Sequence, residues 1–246
     1  MQDFLIYVLF ALVLVAGWVL RSPWFKGARG ETQVNSSLRK LLDEHEYQVF
    51  KDLTLPSRGG TTQIDHVVVS RFGLFVIETK NMKGWIYGGA DQARWTQVIY
   101  RHKSQFQNPI RQNYKHVKAV QELLGIEAHQ LHNVVVFVGS GVPKTAMPNG
   151  VVWGVRSLAE YIKSKRAVVL GGNELGRLAK SLCENSFQPS VQTRRAHVRH
   201  VKTQVTKRRQ DAGKCPRCGA NLVERTNRQS GEQFLGCSRF PRCRGT

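Results

Sequence analysis

The stretch QIDHVVVSRFGLFVIETK, residues 63–80, contains two apolar runs separated by a short turn at residues 71–73. Runs of Val, Ile, Leu and Phe on either side of such a turn predict two strands of a β-hairpin. Side chains alternate along a strand, so Glu78 and Lys80 share one face, and the hairpin can place Asp65 beside them. Two carboxylates can hold a divalent cation, and a lysine can orient or deprotonate a water molecule for attack on a phosphodiester.

A salt bridge on a solvated sheet face is the alternative interpretation of a Glu-x-Lys pair. Three features weaken it: Asp and Lys are poor strand formers, Asp65 has apolar neighbours, and a basic, glycine-rich turn at residues 57–60 precedes the strand. From the pattern alone, the metal site and the salt bridge both stay open.

Further motifs surround the hairpin in a fixed order. They are Gly30-Glu31, Leu38 to Leu42, Asp52-Leu53, Gly84-Trp85-Ile86, Trp95 and Asn108-Pro109-Ile110-Arg111-Gln112. Together with the hairpin they resemble the nuclease-related domain (NERD) family, which is similar to the restriction-endonuclease-like, PD-(D/E)xK superfamily. The resemblance implies an α/β core in which helices flank a mixed sheet.

The resemblance also implies an active site. By matching motif, Asp65 and Glu78 would be ligands of Mg²⁺ or Mn²⁺. Lys80 would be the catalytic lysine, and Glu31 would be a further acidic residue from the first helix. Ile64 stands where the superfamily name has proline, which makes the motif less specific.

Composition and charge restrict the classes of partner. A chain of 246 residues with 41% hydrophobic content can bury one α/β core and carry smaller appendages, which excludes a disordered protein. The formal charge of +20 favours a polyanionic partner, either nucleic acid or an anionic membrane surface. Residues 186–246 supply +11 of this charge, which predicts a C-terminal basic site.

The N-terminus predicts a separate membrane element. Residues 4–20 are all apolar, aromatic or Gly, and Arg21, Lys26 and Arg29 follow them. A transmembrane helix within residues 1–25 is favoured over a signal peptide, which would have a positive start and a cleavage site, and over a buried helix. The positive-inside rule then predicts a single-pass protein of a bacterial-type inner membrane, in contact with the bilayer through residues 4–20 and with its other domains in the cytoplasm.

The nuclease-related domain is predicted at residues 27–185. Its predicted helices are 34–46, 109–124, one capped by Ser157 with Glu160 at its third position, and 174–184; its predicted strands are 47–55, the hairpin, 85–87, 95–100, 134–138 and 151–155. In the 109–124 helix, Arg111, Lys115 and Lys118 share one face and could contact phosphates. An ordinary solvated face is favoured for the two lysines, and a place for Gln112 near the metal stays open. His66 is predicted to pack on the opposite side of its strand.

Four cysteines near the C-terminus predict a structural zinc site. Cys215 and Cys218 form a CxxC pair, and Cys237 and Cys243 follow after an eighteen-residue gap. Four thiolates at this spacing can bind Zn²⁺ tetrahedrally, whereas the alternative, a pair of disulfides, is disfavoured in the reducing cytosol. Cys183 is predicted to be a buried apolar residue.

The last residues, 214–246, resemble the zinc-ribbon modules of bacterial type IA topoisomerases. The resemblance implies binding of single-stranded DNA, with aromatic residues as stacking platforms and arginines as phosphate contacts. The residues implied are Phe234, Phe240, Arg217, Arg225, Arg239 and Arg242. Packing of either Phe on the ribbon is the alternative. Residues 186–213 predict a basic, flexible linker.

The sequence thus predicts a membrane-anchored, metal-dependent nuclease whose ribbon and linker bind nucleic acid, with DNA favoured over RNA. A non-catalytic membrane tether for nucleic acid is the first alternative, and a basic surface held against anionic lipid is the second. The oligomeric state stays open.

Overall fold

The computed structural model describes residues 23–57, 60–187, 199, 203, 205–207, 212–227 and 233–245. The predicted transmembrane segment, residues 4–20, lies outside this part of the chain. Within the described ranges, no helix has both the length and the apolar character needed to cross a membrane. The chain divides into a first unit of residues 1–58 and 62–187, and a second unit of residues 59–61 and 188–246.

The first unit contains helices and the strands of two sheets, a main sheet and a second, smaller one. Its helices are α1 (Pro23–Leu41), α2 (Pro109–Leu124), α3 (Val155–Ser164) and α4 (Gly172–Asn185). Its strands are β1 (Tyr47–Ser57), β2 (Gly60–Ser70), β3 (Gly73–Asn81), β4 (Gly84–Tyr87), β5 (Arg94–Ile99), β6 (His102–Gln107), β7 (Leu131–Val138), β8 (Gly141–Pro143) and β9 (Val151–Trp153).

The main sheet has five strands in the order β1-β2-β3-β7-β9. Strands β2 and β3 are antiparallel, whereas β7 runs parallel to both β3 and β9. Helices α2 and α4 contribute to the apolar cluster on one face, which contains Val67 and Val76. Helices α1 and α3 contribute to the cluster on the other face, with Val68 and Ile77. The predicted mixed sheet flanked by helices is therefore confirmed.

The predicted hairpin is formed by β2 and β3. Their register pairs Ser70 with Gly73, which leaves a two-residue turn. Gly73 has φ +115°, and a Cβ atom there would lie 2.7 Å from the backbone oxygen of Gln130. Because an L side chain fits neither this backbone conformation nor this space, glycine is required at the turn.

A second sheet, in the order β6-β5-β4-β8, packs its buried face around Trp95. The indole of Trp95 stacks on Phe137 of β7, with ring centroids 6.1 Å apart. The Trp95 Nε1–H donates to the backbone oxygen of Gly89 at 3.0 Å. This cluster fixes the second sheet to the main one.

Several predicted elements differ from the structure. The first helix, predicted at residues 34–46, instead spans Pro23–Leu41. It includes Gly30, where the helix packs so closely that an added Cβ would lie 2.9 Å from Asn81 Cβ. Ser157 is not a cap: Gly154 precedes α3, and Ser157 lies inside the helix. Strands β6 and β8 carry no strong apolar alternation and were not predicted. Cys183 is exposed rather than buried, because the buried face of α4 is formed by Leu178 and Leu182.

The second unit contains an antiparallel hairpin of β10 (Leu222–Thr226) and β11 (Gln233–Cys237). Of the predicted flexible linker, most residues lie outside the described ranges. Residues 199, 203 and 205–207 are helical, and Thr203 Oγ1 donates to the backbone oxygen of Arg199 at 3.0 Å.

Candidate active site and zinc centre

Asp65, Glu78 and Lys80 converge on the face of the sheet that α2 covers. Lys80 Nζ lies 2.6 Å from Glu78 Oε1. Asp65 Oδ2 accepts a hydrogen bond of 2.7 Å from the backbone N–H of Thr79. The β2–β3 ladder ends at the pair His66 and Ile77, so the Asp65 carboxylate takes the place of a backbone acceptor where the strands separate. The Asp65 carboxylate therefore lies beside the strand that carries Glu78 and Lys80.

Gln112 of α2 completes this group, so its open position is resolved. Its side-chain oxygen accepts from Lys80 Nζ at 2.9 Å, and its Nε2 donates to Glu78 Oε1 at 2.7 Å. One amide therefore holds both members of the ion pair. A lysine with two acceptors fixed on one side retains a third proton for a further partner.

His116 is a site residue that the sequence analysis did not identify. Its Nε2 lies 3.4 Å from Glu78 Oε2, and its Nδ1 lies 2.7 Å from Thr62 Oγ1. An Nε2–H that donates to the carboxylate leaves Nδ1 to accept from the threonine hydroxyl. His116 follows Gln112 by four residues, and residues at this spacing share a helix face. That spacing is the signal that could have identified it.

The two carboxylates have pKa values shifted in opposite directions. Burial, followed by the negative charge of Glu78, raises the pKa of Asp65 well above its ordinary value, and Glu31 adds to the rise. Burial also acts to raise the pKa of Glu78, but the contacts from His116 and Lys80 outweigh it and lower that pKa overall. Pairs of acidic groups with opposed shifts are typical of functional sites.

Glu31 acts on the site through its charge from the other side of the sheet. Helix α1 packs on the face opposite α2. Within the described ranges, Glu31, Asp65 and Glu78 do not form a group of three carboxylates that could hold one metal ion together. On that face His66 is buried, and its ring forms a hydrogen bond with the backbone of Glu31. This position agrees with the packing role predicted for His66. Burial lowers the pKa of His66 to about 4.

Two asparagines position α2 over the trio. Asn108 caps the helix by accepting from Ile110 N at 2.9 Å, and its amide donates to the backbone oxygen of Gln92 at 2.7 Å. Buried Asn113 donates to backbone oxygens of β3 and β7, at Val76 and Val134. The helix is thereby tied to the strand that carries Glu78 and Lys80.

The basic residues of α2 lie outside this constellation. Arg111 donates to the backbone oxygen of Asp91 at 2.6 Å, and Lys118 donates to Gln121 Oε1 at 2.7 Å. Lys115 is exposed. The positions of Lys115 and Lys118 agree with the solvated face predicted for the two lysines.

The four C-terminal cysteines form a compact metal site. Their Sγ atoms all lie within 4.8 Å of one another, with Cys218 and Cys237 3.4 Å apart and Cys215 and Cys243 3.8 Å apart. Four convergent sulfurs match the tetrahedral ligand set of structural zinc. The cluster therefore supports a structural zinc site, as predicted.

Backbone amides prepare this site for a cation. The N–H of Cys218, together with that of Arg217, lowers the pKa of Cys215 to about 6, whereas burial raises the pKa of Cys237 to about 12. Thiolates are the metal-binding form of cysteine. A bound Zn²⁺ would keep all four sulfurs deprotonated.

One face of the ribbon hairpin presents aromatic and basic groups. Arg225 pairs with Phe234 across the strands, and its guanidinium lies 5.3 Å from the ring centre of Phe240. Phe234 and Phe240 are 42% and 55% exposed, so the ribbon leaves about half of each ring accessible. The other arginines implied as phosphate contacts are exposed; they are Arg217, Arg239 and Arg242.

The chain is similar to two kinds of known protein. Residues 26–138 match the family described as nuclease-related domain (NERD), and residues 212–246 match the topoisomerase DNA binding C4 zinc finger. An uncharacterized protein of Bacillus anthracis is 48% identical over 120 residues, which is 48% of this chain and 56% of the relative. The chain thus spans little more than half the length of that relative.

The ribbon accounts for the similarity to topoisomerases. DNA topoisomerase 1 of Pyrococcus horikoshii is 48% identical over 31 residues, 13% of this chain and 4% of that protein. DNA topoisomerase 1 of Methanothermobacter thermautotrophicus is 36% identical over 72 residues, 27% of this chain and 10% of that protein. No solved structure matches the chain significantly. The chain therefore contains a nuclease-related domain at residues 26–138 and a topoisomerase-type C4 zinc ribbon at residues 212–246.

Proposed function

We propose that this protein is a metal-dependent nuclease that hydrolyses phosphodiester bonds of nucleic acid. The observation that carries the proposal is the group formed by Asp65, Glu78, Lys80 and Gln112, in which a buried carboxylate, Glu78, and a half-buried one, Asp65, lie beside a fixed ammonium. A buried charged group persists only where partners or ligands compensate it. A carboxylate pair can hold a metal ion and an ammonium can stabilise negative charge, and both actions favour hydrolysis of a phosphodiester.

Asp65 and Glu78 are the residues that would hold Mg²⁺ or Mn²⁺. Carboxylate oxygens are the ligands these ions prefer, and no described residue donates a hydrogen bond to Asp65 Oδ1. Burial, followed by the negative charge of Glu78, raises the pKa of Asp65, and a bound cation would oppose both effects. Glu31 adds to that negative charge. When bound, the metal would stabilise charge on the scissile phosphate.

Lys80 would direct the attacking water. Its ammonium is held by Glu78 at 2.6 Å and by Gln112 at 2.9 Å, which fixes the direction of its remaining N–H group. A hydrogen bond from this position orients water or stabilises charge on the phosphate, and prior orientation removes part of the entropic barrier. His116, through Glu78 Oε2, would keep the carboxylate ionised and in place.

A non-catalytic nucleic-acid tether is the second candidate function. The contact that favours it is the same Lys80–Glu78 pair, because two charges that satisfy each other need no further ligand. The two functions differ in one requirement. Only the nuclease needs Lys80 for a reaction rather than for stability.

The zinc ribbon would deliver DNA to the core. Its relatives by sequence are named DNA topoisomerase 1 and its family is described as DNA binding. Half-exposed Phe234 and Phe240, with Arg225 beside them, supply the stacking and charge that single strands require. We favour DNA over RNA as the partner on this basis.

Residues 4–20 would anchor the chain in the inner membrane, with residues 21–246 in the cytoplasm. The support is the uninterrupted apolar run followed by Arg21, Lys26 and Arg29. Fractionation of cells that produce the full chain tests this. The anchor predicts that detergent, but neither high salt nor alkaline carbonate, releases the protein.

Cleavage of end-labelled DNA tests the nuclease. The purified full-length chain in mild detergent would be incubated with single-stranded or duplex DNA, with Mg²⁺, with Mn²⁺ or without added divalent metal. The proposal predicts product only with metal. DNA that is bound but uncut under every condition would favour the tether.

A further inference from the structure

The second sheet has an accessible face that the active site does not use. Cross-strand pairing places Val142, Trp85, Val98 and Lys103 in one row across its four strands. Trp85 lies on a central strand and is 50% exposed, whereas Trp95 on the opposite face is fully buried. An indole that stays half in water on a sheet face presents a flat apolar surface to a partner.

The charge around this indole is basic. Lys144 Nζ lies 5.0 Å from the centre of the Trp85 ring. Residues 83–107 and 141–147, which contain the four strands, include five Lys or Arg and one acidic residue. A surface that combines an exposed aromatic ring with cations complements a ligand with both a flat ring and negative charge, as nucleotides have.

The β5–β6 hairpin extends the same surface. Its register pairs Ile99 with His102, so Tyr100 and Arg101 form a two-residue turn. Tyr100 is 95% exposed and has φ +53°, a conformation that a bulky residue rarely adopts. Because the Tyr100 ring is almost fully exposed, core packing does not require it. Asn or Gly would suit the backbone conformation of this turn better. The turn thus exposes a second aromatic side chain, Tyr100, and a further cation, Arg101.

We propose that this face, defined by Trp85, Tyr100, Lys103 and Lys144, binds single-stranded nucleic acid as the substrate of the adjacent active site. Stacking on an indole requires an unpaired base, since the faces of paired bases are covered in a duplex. Trp85 follows Lys80 by five residues, so the two are at most about 18 Å apart along the chain. The assignment of this face as a substrate site rests on the proposed nuclease function.

The connection between this face and the active site is structural as well as sequential. The amide of Asn108 donates to backbone oxygens of the loop between β4 and β5, at Gly89 and Gln92. Asn108 also caps α2, which carries Gln112. The sheet and the catalytic group therefore share one rigid support.

Binding by the full-length chain tests the inference. A Phe234→Ala, Phe240→Ala background removes the stacking residues of the ribbon, so that the remaining affinity reports the core. Fluorescence anisotropy with labelled dT20 and with a 20-base-pair duplex would be measured without divalent metals. Trp85→Ala should weaken binding of dT20 by at least about fivefold, as expected for one lost base stack, and leave duplex binding unchanged.

Matched variants sharpen the result. Tyr114, which is 53% exposed and has Lys118 over its ring, is an equivalent aromatic on α2, and Tyr114→Ala should have no effect. Trp85→Phe should retain most of the affinity. Replacing both Lys103 and Lys144 by Ala should reduce the slope of log affinity against log salt by about 0.7 for each lysine that contacts a phosphate.

Three outcomes would overturn the inference. In the first, Trp85→Ala binds dT20 as tightly as its parent. In the second, Trp85→Ala and Tyr114→Ala weaken binding of dT20 equally. In the third, Trp85→Ala loses as much affinity for the duplex as for the single strand. Because binding is measured without metal, each outcome leaves the cleavage test untouched, and a parent that fails to cut leaves the binding result standing.

Discussion

His116 and Glu78 face each other between α2 and β3, with Nε2 of the histidine 3.4 Å from Oε2 of the carboxylate. Thr62 fixes the other ring nitrogen at 2.7 Å. This contact is the largest influence that lowers the pKa of Glu78 against the effect of burial. The acidity of the proposed metal ligand thus depends on a helix residue outside the hairpin motif.

Replacing His116 by Ala should raise the pKa of Glu78, because burial would then be opposed by Lys80 without the histidine. A carboxylate with a higher pKa is protonated at higher pH. The acid limb of the pH–rate profile for DNA cleavage should therefore move to higher pH. His129→Ala, at an exposed position, is the control, and an unmoved acid limb in His116→Ala would show that the contact has no electrostatic role.

Asp65→Asn should stabilise the metal-free protein at pH 7. The folded-state pKa of Asp65 is raised, so its favourable contribution is present at low pH and is lost as pH rises through that pKa. An amide remains neutral, and the gain should be on the order of 1 kcal/mol. Urea unfolding with and without Mg²⁺ measures this, and only the parent should gain stability from Mg²⁺. Equal stabilisation of both proteins by Mg²⁺ would remove Asp65 from the metal site.

The buried His66 should make the first unit sensitive to acid. Its pKa is lowered to about 4, below the ordinary value of 6.5, so folding favours the neutral ring. The associated stability is complete above pH 6.5 and is lost as pH falls toward 4, by about 3 kcal/mol. His66→Gln should flatten the dependence of unfolding free energy on pH in this window. An unchanged slope would mean that other groups cause the acid sensitivity.

Removal of zinc should affect the ribbon and spare the core. Cys237→Ser removes one of four convergent sulfurs, so the zinc content should fall from one ion per chain and affinity for single-stranded DNA should decrease. Elemental analysis and anisotropy measure the two effects. Cys183→Ser, at an exposed position of α4, should retain both properties. Full zinc content in Cys237→Ser would contradict a four-cysteine site.

Local sequence signals predicted the elements that carry the chemistry. The β2–β3 hairpin follows from apolar runs around a glycine turn, and α2 has the predicted bounds, Pro109–Leu124, because Asn108 and Pro109 define its start. The four cysteines were found through their spacing. In each case a few adjacent residues contain the whole signal.

Features that depend on tertiary contacts were not predicted. His116 belongs to the site only because α2 lies across β3, which no local pattern specifies. The first helix was predicted to begin at residue 34, yet α1 already includes Gly30, which is required there for close packing on Asn81. Ser157 resembles a cap, but the chain turns into α3 earlier, at Gly154, after β9 ends. Tertiary packing outweighed local preference at these positions.

The most direct test of the account is the reaction rate of Lys80→Ala. Single-turnover cleavage of labelled DNA would be measured in Mg²⁺ for the full-length parent, for Lys80→Ala, and for Lys163→Ala as a charge-matched control at an exposed position of α3. The account predicts that Lys80→Ala cuts at least about 100-fold more slowly while it binds DNA normally, and that Lys163→Ala cuts like the parent. Equal rates for Lys80→Ala and the parent would contradict a catalytic role for Lys80 and reduce its contact with Glu78 to a structural ion pair.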